Sequence, residues 1–138
     1  MSLEMVRFSP QEWKKLAHNA HLTCFNELRD PSFDRIAFAL LTVRDGTPLN
    51  YCTVKELDAE SCYWQYGGAF PSSEGTIQSF RSYKRNAEYC LTQYKRITTY
   101  IQNINVVMIK IALKVGFVIV GTRNFKGEVF VEFLLEGE

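Results

Sequence analysis

The sequence has almost no net charge. Its 138 residues carry 16 Lys and Arg side chains against 15 Asp and Glu, a formal net charge of +1. This balance provides no bulk electrostatic attraction to nucleic acid or to an anionic membrane, and it disfavours a nucleic-acid partner. Apolar runs of bilayer length are also missing, since the longest, such as residues 36–43 (IAFALLTV), are too short, and the N-terminus lacks the apolar core of a signal peptide. We therefore expect a cytoplasmic protein without a membrane partner.

Cysteine spacings typical of zinc knuckles and of thioredoxin-like redox motifs are absent. No two of the four cysteines are two or three residues apart; they are Cys24, Cys52, Cys62 and Cys90. Each lies among apolar neighbours, which predicts buried free thiols. His18, His21 and Cys24 recur every three residues, but no spacing places a fourth ligand beside them. The sequence therefore predicts no metal site.

The sequence does contain a strong signal for the start of a helix. In residues 8–13 (FSPQEW), Ser9 is placed as the N-cap and Glu12 follows three residues later, which is the pattern of a capping box. Phe8 and Trp13 have the spacing of a hydrophobic staple. Apolar residues then recur at helical intervals, and a proline predicts that the helix ends near residue 30.

Strands and helices alternate along the rest of the chain. Asp45-Gly46 predicts the turn of a hairpin between two β-rich runs. Further elements are then predicted in this order: a strand at residues 61–70, a helix at about 73–91, a strand at 96–102, a helix at 105–114 stopped by Gly116, and a hairpin around 124–127. Strand–helix–strand alternation implies some parallel pairing. We predict a single α/β domain over residues 1–138, with a mixed sheet flanked by helices.

Two stretches in this order resemble the GCN5-related N-acetyltransferase (GNAT) family. Residues 105–117 (NVVMIKIALKVGF) are similar to the last helix of that family and to the glycine–phenylalanine step after it. Residues 67–76 (GGAFPSSEGT) resemble the end of the fourth strand and the turn that holds the cofactor pyrophosphate. The resemblance covers about residues 9–135, and it leaves room for a first strand that is short or absent.

The resemblance implies an acyl-CoA N-acyltransferase fold and an enzyme that transfers an acetyl group from acetyl-CoA to a primary amine of unknown identity. The pantetheine arm of coenzyme A would bond to a splayed strand as a missing strand would, and its pyrophosphate would lie at a helix N-terminus. The residues that would bind the cofactor are Gly68, Ala69, Phe70, Ser73, Gly75, Thr76, Ile77 and Asn105. The candidates for proton transfer in catalysis are Tyr100, Tyr66 and Glu56, with Tyr94 and Glu60 as further possibilities.

Two positions depart from the family pattern. Glu74 stands where the phosphate turn usually has Arg, which would bring a carboxylate close to the pyrophosphate. Ala112 stands where a Tyr of the last helix often protonates the leaving thiolate. Both departures favour an alternative, a catalytically silent domain of the same fold kept for binding or assembly. A nucleic-acid binder has only local basic residues in its favour, and the long apolar last strands favour a homodimer.

Overall fold

The computed structural model describes residues 3–25, 36–69 and 77–137, and it describes side chains in these ranges except at 17–23, 25, 66–69 and 77–79. The elements of these ranges are β1 (Leu3–Phe8), α1 (Pro10–Phe25), β2 (Ile36–Arg44), β3 (Thr47–Glu56), β4 (Ser61–Ala69), α2 (Ile77–Gln93), β5 (Arg96–Gln102), α3 (Val106–Val115), β6 (Val118–Phe125) and β7 (Glu128–Glu136). The predicted α/β order is confirmed, and a six-residue first strand precedes it. The predicted end of the first helix near residue 30 and the predicted start of the second at 73 lie outside the described residues.

The predicted capping box forms at the start of α1. The backbone N–H of Ser9 donates to Glu12 Oε1 at 2.8 Å, and the backbone N–H of Glu12 donates to Ser9 Oγ at 3.2 Å. The rings of Phe8 and Trp13 lie 5.8 Å apart between centroids, which completes the hydrophobic staple. Trp13 is buried, whereas Leu16, one turn later on the predicted apolar face, is 43% exposed. The first turn of α1 is therefore anchored to the sheet through Trp13.

Two-residue turns close both predicted hairpins. Asp45 and Gly46 have φ values of 50° and 80°, and Lys126 and Gly127 have φ values of 51° and 82°. Positive φ at both central residues gives the turn a twist that matches the twist of the flanking strands. The turns therefore set the pairing of β2 with β3 and of β6 with β7.

The strands form one mixed sheet in the order β1-β2-β3-β4-β5-β7-β6. β1 pairs antiparallel with β2 from Leu3 opposite Arg44 to Phe8 opposite Ala39. Within the described ranges, β4 and β5 are the parallel pair, joined by the crossover that contains α2. β7 inserts between β5 and β6, pairing antiparallel with both.

The core lies on both faces of the sheet because successive side chains of a strand point to opposite faces. On one face, α2 and α3 cover a large cluster that includes Leu40, Trp64, Tyr83, Ala112 and Phe133. On the other face, Trp13 of α1 packs against Ile36, Ala39 and Tyr51. As predicted, all four cysteines are free thiols; Cys52, Cys62 and Cys90 are buried, and Cys24 is partly buried.

β6 forms one edge of the sheet and is unusually apolar for such a position. Val118, Ile119 and Val120 are each at least half exposed, at 56%, 52% and 50%. An exposed apolar edge is a ready surface for pairing with another chain. This observation fits the predicted homodimer, which stays a prediction.

Candidate functional site

The two parallel strands diverge after four residue pairs. β4 and β5 pair from Ser61 opposite Arg96 to Trp64 opposite Thr99. Beyond that point β4 continues to Ala69 along β3, and β5 continues to Gln102 along β7. We call the opening between residues 65–69 of β4 and residues 100–102 of β5 the fork. The resemblance implies a strand that splays at residues 67–70, and β4 is separated from β5 from Gln65 through Ala69.

A β-bulge lies where the fork begins. On β3, the neighbouring residues Thr53 and Val54 pair with Tyr66 and Trp64, so Gln65 is an extra residue of β4. Such a bulge bends the strand and increases its twist, and it therefore turns the end of β4 away from β5. A bulge at Gly67 and Gly68 themselves is an alternative explanation of the glycine pair. The structure places the bulge at Gln65 instead, and Gly67 and Gly68 pair in register with Cys52 and Tyr51.

The fork leaves backbone groups on both of its arms without a strand partner across the opening. In a paired strand, N–H and C=O groups point alternately to the two neighbouring strands, and buried backbone groups without a partner are costly. An extended, amide-containing molecule can satisfy these groups as an added strand would. The glycines of β4 carry no side chain to obstruct such an approach. The opening is suited to a ligand that resembles a peptide backbone.

The carboxyl ends of β4 and β5 both point towards the open end of the fork. Helix α3 starts there, since Asn105 follows Gln102 by three residues, and α2 begins at Ile77 after β4. A helix N-terminus carries unpaired N–H groups and the positive end of the helix dipole. In sheets with parallel strands, ligands bind outside the carboxyl ends of the strands. The open end of the fork is accordingly the favoured place for an anionic group.

The predicted cofactor residues are described only in part. Gly68 and Ala69 lie on the β4 arm of the fork, and Ile77 is the first residue of α2, with its side chain not described. Phe70, Ser73, Gly75 and Thr76 lie outside the described residues, as does Glu74. Binding of a cofactor by these residues stays a prediction.

Asn105 is the N-cap of α3. Its side-chain oxygen accepts a hydrogen bond from the backbone N–H of Met108 at 3.2 Å. Gly116 ends the helix with φ at 121°, and its N–H donates to the carbonyls of Ala112 and Leu113. The resemblance implies that Asn105 faces the pantetheine arm, whereas in the structure its side-chain oxygen caps the helix.

Two variants separate these roles of Asn105. Asn105→Ala removes the cap acceptor, and we expect the free energy of unfolding to fall by about 1 kcal/mol in urea denaturation. Asn105→Ser keeps a cap acceptor and is expected to retain nearly all of that stability. An equal loss in both variants would contradict the capping role. A lower affinity for acetyl-CoA in the Ser variant, measured by calorimetry, would indicate that the amide also reaches the ligand.

Tyr100 and Tyr66 lie on opposite arms of the fork. Tyr100 is the first residue of β5 beyond the last pair with β4, and Tyr66 follows the bulge residue in β4. The Tyr100 ring packs edge-on against Tyr63 at 5.8 Å, and the Arg123 guanidinium lies 5.1 Å from its centroid. The side chain of Tyr66 is not among those described. The backbone positions of both catalytic candidates therefore lie at the fork.

Glu56 and Glu60 lie on the closed side of the fork. Glu56 pairs with Cys62, two residues before the last parallel pair, and its Oε1 accepts a hydrogen bond from the Tyr94 hydroxyl at 3.0 Å. Burial, together with that hydrogen bond, raises the pKa of Tyr94 to about 12. Glu60 lies 3.1 Å from Arg96 and 3.5 Å from Lys95. The structure thus separates these candidates from the fork.

Ala112 is 2% exposed and belongs to the core between the sheet and helices α2 and α3. Its methyl group therefore contributes to the packing of that core. Burial raises the pKa of the Cys52 thiol, and a hydrogen bond with Cys90 and burial raise that of Cys62. Neither cysteine can therefore supply a thiolate nucleophile near neutral pH.

A cavity of about 400 Å³ opens on the sheet face opposite α2 and α3. Its lining residues on β4 and β5 are next in sequence to Trp64, Ile97 and Ile101, whose side chains point into the core under α2 and α3. Neighbouring residues of a strand point to opposite faces, so the cavity lies on the other face of the sheet. We call this cavity the aromatic groove, and it is lined by Leu57, Tyr63, Thr98, Tyr100, Arg123, Phe125 and Phe130. The groove adjoins the fork. Tyr63 and Thr98 form the third of the four β4–β5 pairs, and Tyr100 is the first β5 residue beyond the fourth pair. Sequence reasoning missed this groove, since its residues come from four strands and one turn.

Metal and membrane features can be assessed only for the part of the chain that the structure describes. Within residues 3–25, 36–69 and 77–137, no group of three or more His, Cys, Asp and Glu residues could hold a metal ion. Of the helices described, none has the length and apolar composition needed to cross a bilayer.

Comparison with known proteins finds similarity of structure without similarity of sequence. No protein-family model matches the chain, and no curated protein sequence matches it significantly. A GNAT family acetyltransferase from Elizabethkingia anophelis with acetyl-CoA bound has a TM-score of 0.76 at 11% identity, covering 97% of each chain. An IAA acetyltransferase from Bacillus cereus has a TM-score of 0.75 at 12% identity, covering 98% of this chain and 99% of the other.

A third similar structure is the spermidine/spermine N-acetyltransferase SpeG from Vibrio cholerae, in mutant forms. Its TM-score is 0.73 at 13% identity, with 98% of this chain and 95% of the other covered. Together these similarities show that the chain has the acyl-CoA N-acyltransferase fold expected from the sequence.

Proposed function

We propose that this chain, which has the fold of the GCN5-related N-acetyltransferases, is a member of that family and transfers an acetyl group from acetyl-CoA to a primary amine. The observation that carries the proposal is the fork, which opens where the sequence argument requires a splayed strand. A bulge and two glycines at the same place are local features that a backbone-like ligand needs.

Acetyl-CoA fits the described residues in two respects. Its pantetheine arm carries two amides, which suit an opening where β4 and β5 no longer pair with each other, with Gly68 and Ala69 on one arm. Its phosphates carry the negative charge that the helix N-termini at the open end favour. We assign the pyrophosphate to Ser73, Gly75, Thr76 and Ile77, the residues that lead into α2. Acetyl-CoA would supply an acetyl group activated as a thioester.

In the proposed reaction the amine nitrogen, in its neutral form, attacks the thioester carbonyl carbon. A C–N bond forms and the C–S bond breaks, so the products are an N-acetylamine and coenzyme A. The amine loses one proton and the departing sulfur gains one, directly or through water, so the reaction needs no oxidant or reductant. Backbone N–H groups on the β4 arm can stabilise the negative charge that develops on the carbonyl oxygen.

Tyr100 is the side chain best placed to take part in the proton transfers. It borders the fork on β5 and faces the aromatic groove. Ala112 has no proton to give, and Glu56 lies on the closed side in a hydrogen bond with Tyr94. We therefore assign Tyr100 as the proton donor to the leaving sulfur, with Tyr66 on the facing arm as the second candidate.

The test is acetyl transfer measured as release of free thiol from acetyl-CoA in the presence of a panel of primary amines. We expect turnover with at least one amine, and we expect Tyr100→Phe to lower kcat about 100-fold while the dissociation constant for acetyl-CoA stays the same. Tyr94→Phe is the matched control, since it removes a hydroxyl on the closed side of the fork. Binding of acetyl-CoA without turnover of any amine would contradict the enzymatic proposal.

That result would favour the second candidate, a catalytically silent binding or assembly domain. The observations in its favour are the burial of Ala112 in the core and the carboxylate of Glu74 in the phosphate turn. If the phosphate site has decayed, millimolar acetyl-CoA will not raise the melting temperature, and Glu74→Arg will create a rise.

A further inference from the structure

The aromatic groove contains one charged side chain among its lining residues, and that side chain is a cation. Arg123 of β6 projects over Tyr100, with its guanidinium 5.1 Å from the ring centroid. This cation–π contact positions the guanidinium without using its hydrogen-bond donors. Within the described ranges Arg123 forms no ion pair, so its donors face the groove and solvent.

The acidic residues nearest to Arg123 on this face are Glu132 and Glu128. Glu132 is paired with Gly121 and Tyr100, and its carboxylate lies over Gly121, 3.7 Å from the position that a Cβ would take there. Glu128 is paired with Phe125 at the turn, where Lys126 lies 5.4 Å from the Phe125 ring. Neither carboxylate lines the groove. The lining of the groove thus includes one cationic side chain, Arg123, and no carboxylate that could bind a cationic occupant.

The rest of the lining is mostly apolar. Phe130 is paired with both Arg123 and Gln102, which places its side chain on the same face of the sheet as Arg123. Phe125 and Leu57 extend the apolar surface, and they are 58% and 57% exposed. Ligand pockets of this kind typically enclose roughly 300–1,000 Å³, so a cavity of about 400 Å³ suits a small molecule. Its occupant needs an apolar or aromatic body and an anionic group.

The position of the groove restricts where the reacting nitrogen can be. Arg123 and the fork meet at Tyr100, so an occupant whose carboxylate binds Arg123 has its nearest atoms beside the fork. In an α-amino acid the amine is attached to the carbon next to the carboxylate. That connection brings the nitrogen to Tyr100 while the side chain extends over Phe130 and Phe125.

We propose that the acetyl acceptor is a free α-amino acid with an aromatic or large apolar side chain, bound in the aromatic groove with its carboxylate on Arg123. The inference rests on the proposed acetyltransferase function and adds the class of acceptor to it. Arginine binds carboxylates through two parallel hydrogen bonds, which fixes orientation as well as charge. A polyamine such as spermidine is disfavoured here because it would bring several positive charges to Arg123 without an acidic partner.

The test compares phenylalanine with phenethylamine, which lacks only the carboxylate, and with spermidine. We expect kcat/KM for phenylalanine to exceed that for phenethylamine by about 10- to 100-fold, mainly through KM. Arg123→Met removes this preference by raising KM for phenylalanine far more than KM for phenethylamine. Arg123→Glu reverses the order in favour of the two cationic amines. Lys110→Met is the matched control, because Lys110 is an exposed residue of α3 on the opposite face of the sheet. This variant keeps the wild-type order of the three amines.

Direct binding of phenylalanine, followed by NMR chemical shifts in the wild type and in Arg123→Met, separates this inference from the proposed function. Turnover of phenethylamine or spermidine in preference to phenylalanine overturns the inference and leaves the acetyltransferase in place. Arg123-dependent binding of phenylalanine without its acetylation keeps the groove as an amino-acid site and overturns the inference that this amino acid is the acceptor. If phenylalanine is neither bound nor acetylated, the inference is overturned, whether or not the protein binds acetyl-CoA.

Discussion

Trp64→Ala is expected to lower the free energy of unfolding by about 3–5 kcal/mol. Trp64 is 5% exposed, its ring lies 5.4 Å from Phe117 and 6.2 Å from Tyr83, and its Nε1–H donates to Cys90 Sγ at 3.4 Å. Truncation would remove these contacts and leave a cavity that the rigid sheet can fill only in part. Since a domain of this size is typically stable by about 5–15 kcal/mol, the variant would lose a large share of its stability.

The measurement is urea unfolding followed by circular dichroism, because the substitution also removes a fluorophore. Trp64→Phe retains an aromatic ring and serves as the control, with a loss well below that of the Ala variant. The substitution should also weaken acetyl-CoA binding, because Trp64 is the last β4 residue joined to β5 and the fork begins directly after it. A loss below 1 kcal/mol, on the scale of an exposed site, would contradict the packing described here.

Acetyl-CoA is expected to raise the melting temperature by an amount on the order of 10 °C when present at about 100 times its dissociation constant. A ligand that binds only the folded state contributes about 2.7 kcal/mol at that concentration. For a chain of 138 residues, each kcal/mol corresponds to roughly 3–5 °C. The rise should be graded with ligand concentration, which separates specific binding from a general solvent effect.

Fragments of acetyl-CoA show which part of the molecule contributes most of the binding free energy. Adenosine 3′,5′-bisphosphate contains the nucleotide without the pantetheine arm, and we expect a clearly smaller rise from it than from acetyl-CoA at equal concentration. Pantetheine alone should produce a small rise, because it can occupy the fork without the phosphates. If the bisphosphate matched acetyl-CoA, the fork would not be the place where the arm binds, and the main support for the proposed function would be lost.

Local features of this fold could be predicted from the sequence because their causes are local. The capping box at Ser9, the turn at Asp45-Gly46 and the stop at Gly116 each depend on a few neighbouring residues and on backbone preference. The resemblance in residues 67–76 and 105–117 then supplied the fold class, which no local rule gives. The resulting fold prediction is confirmed by the structure.

Non-local features could not be predicted in the same way. β1 was hard to anticipate because its six residues are stabilised by pairing with β2, which lies beyond α1. The bulge at Gln65 leaves no mark in the composition of β4, and the glycines at 67 and 68 indicated a bulge only as an alternative to close approach of a ligand. The aromatic groove combines alternate residues of β4, β5, β7 and β6, and the insertion of β7 between β5 and β6 determines which of them meet.

The sheet consists of two antiparallel halves, β1 to β4 and β5 with β7 and β6, and only four residue pairs of β4 and β5 join them within the described ranges. Small rocking of one half against the other about this short seam would widen or narrow the fork without breaking either half. A molecule hydrogen-bonded to both arms would resist that rocking. Amide hydrogen exchange should therefore slow on both sides of the seam when such a molecule binds, including at residues of β5 that it does not touch.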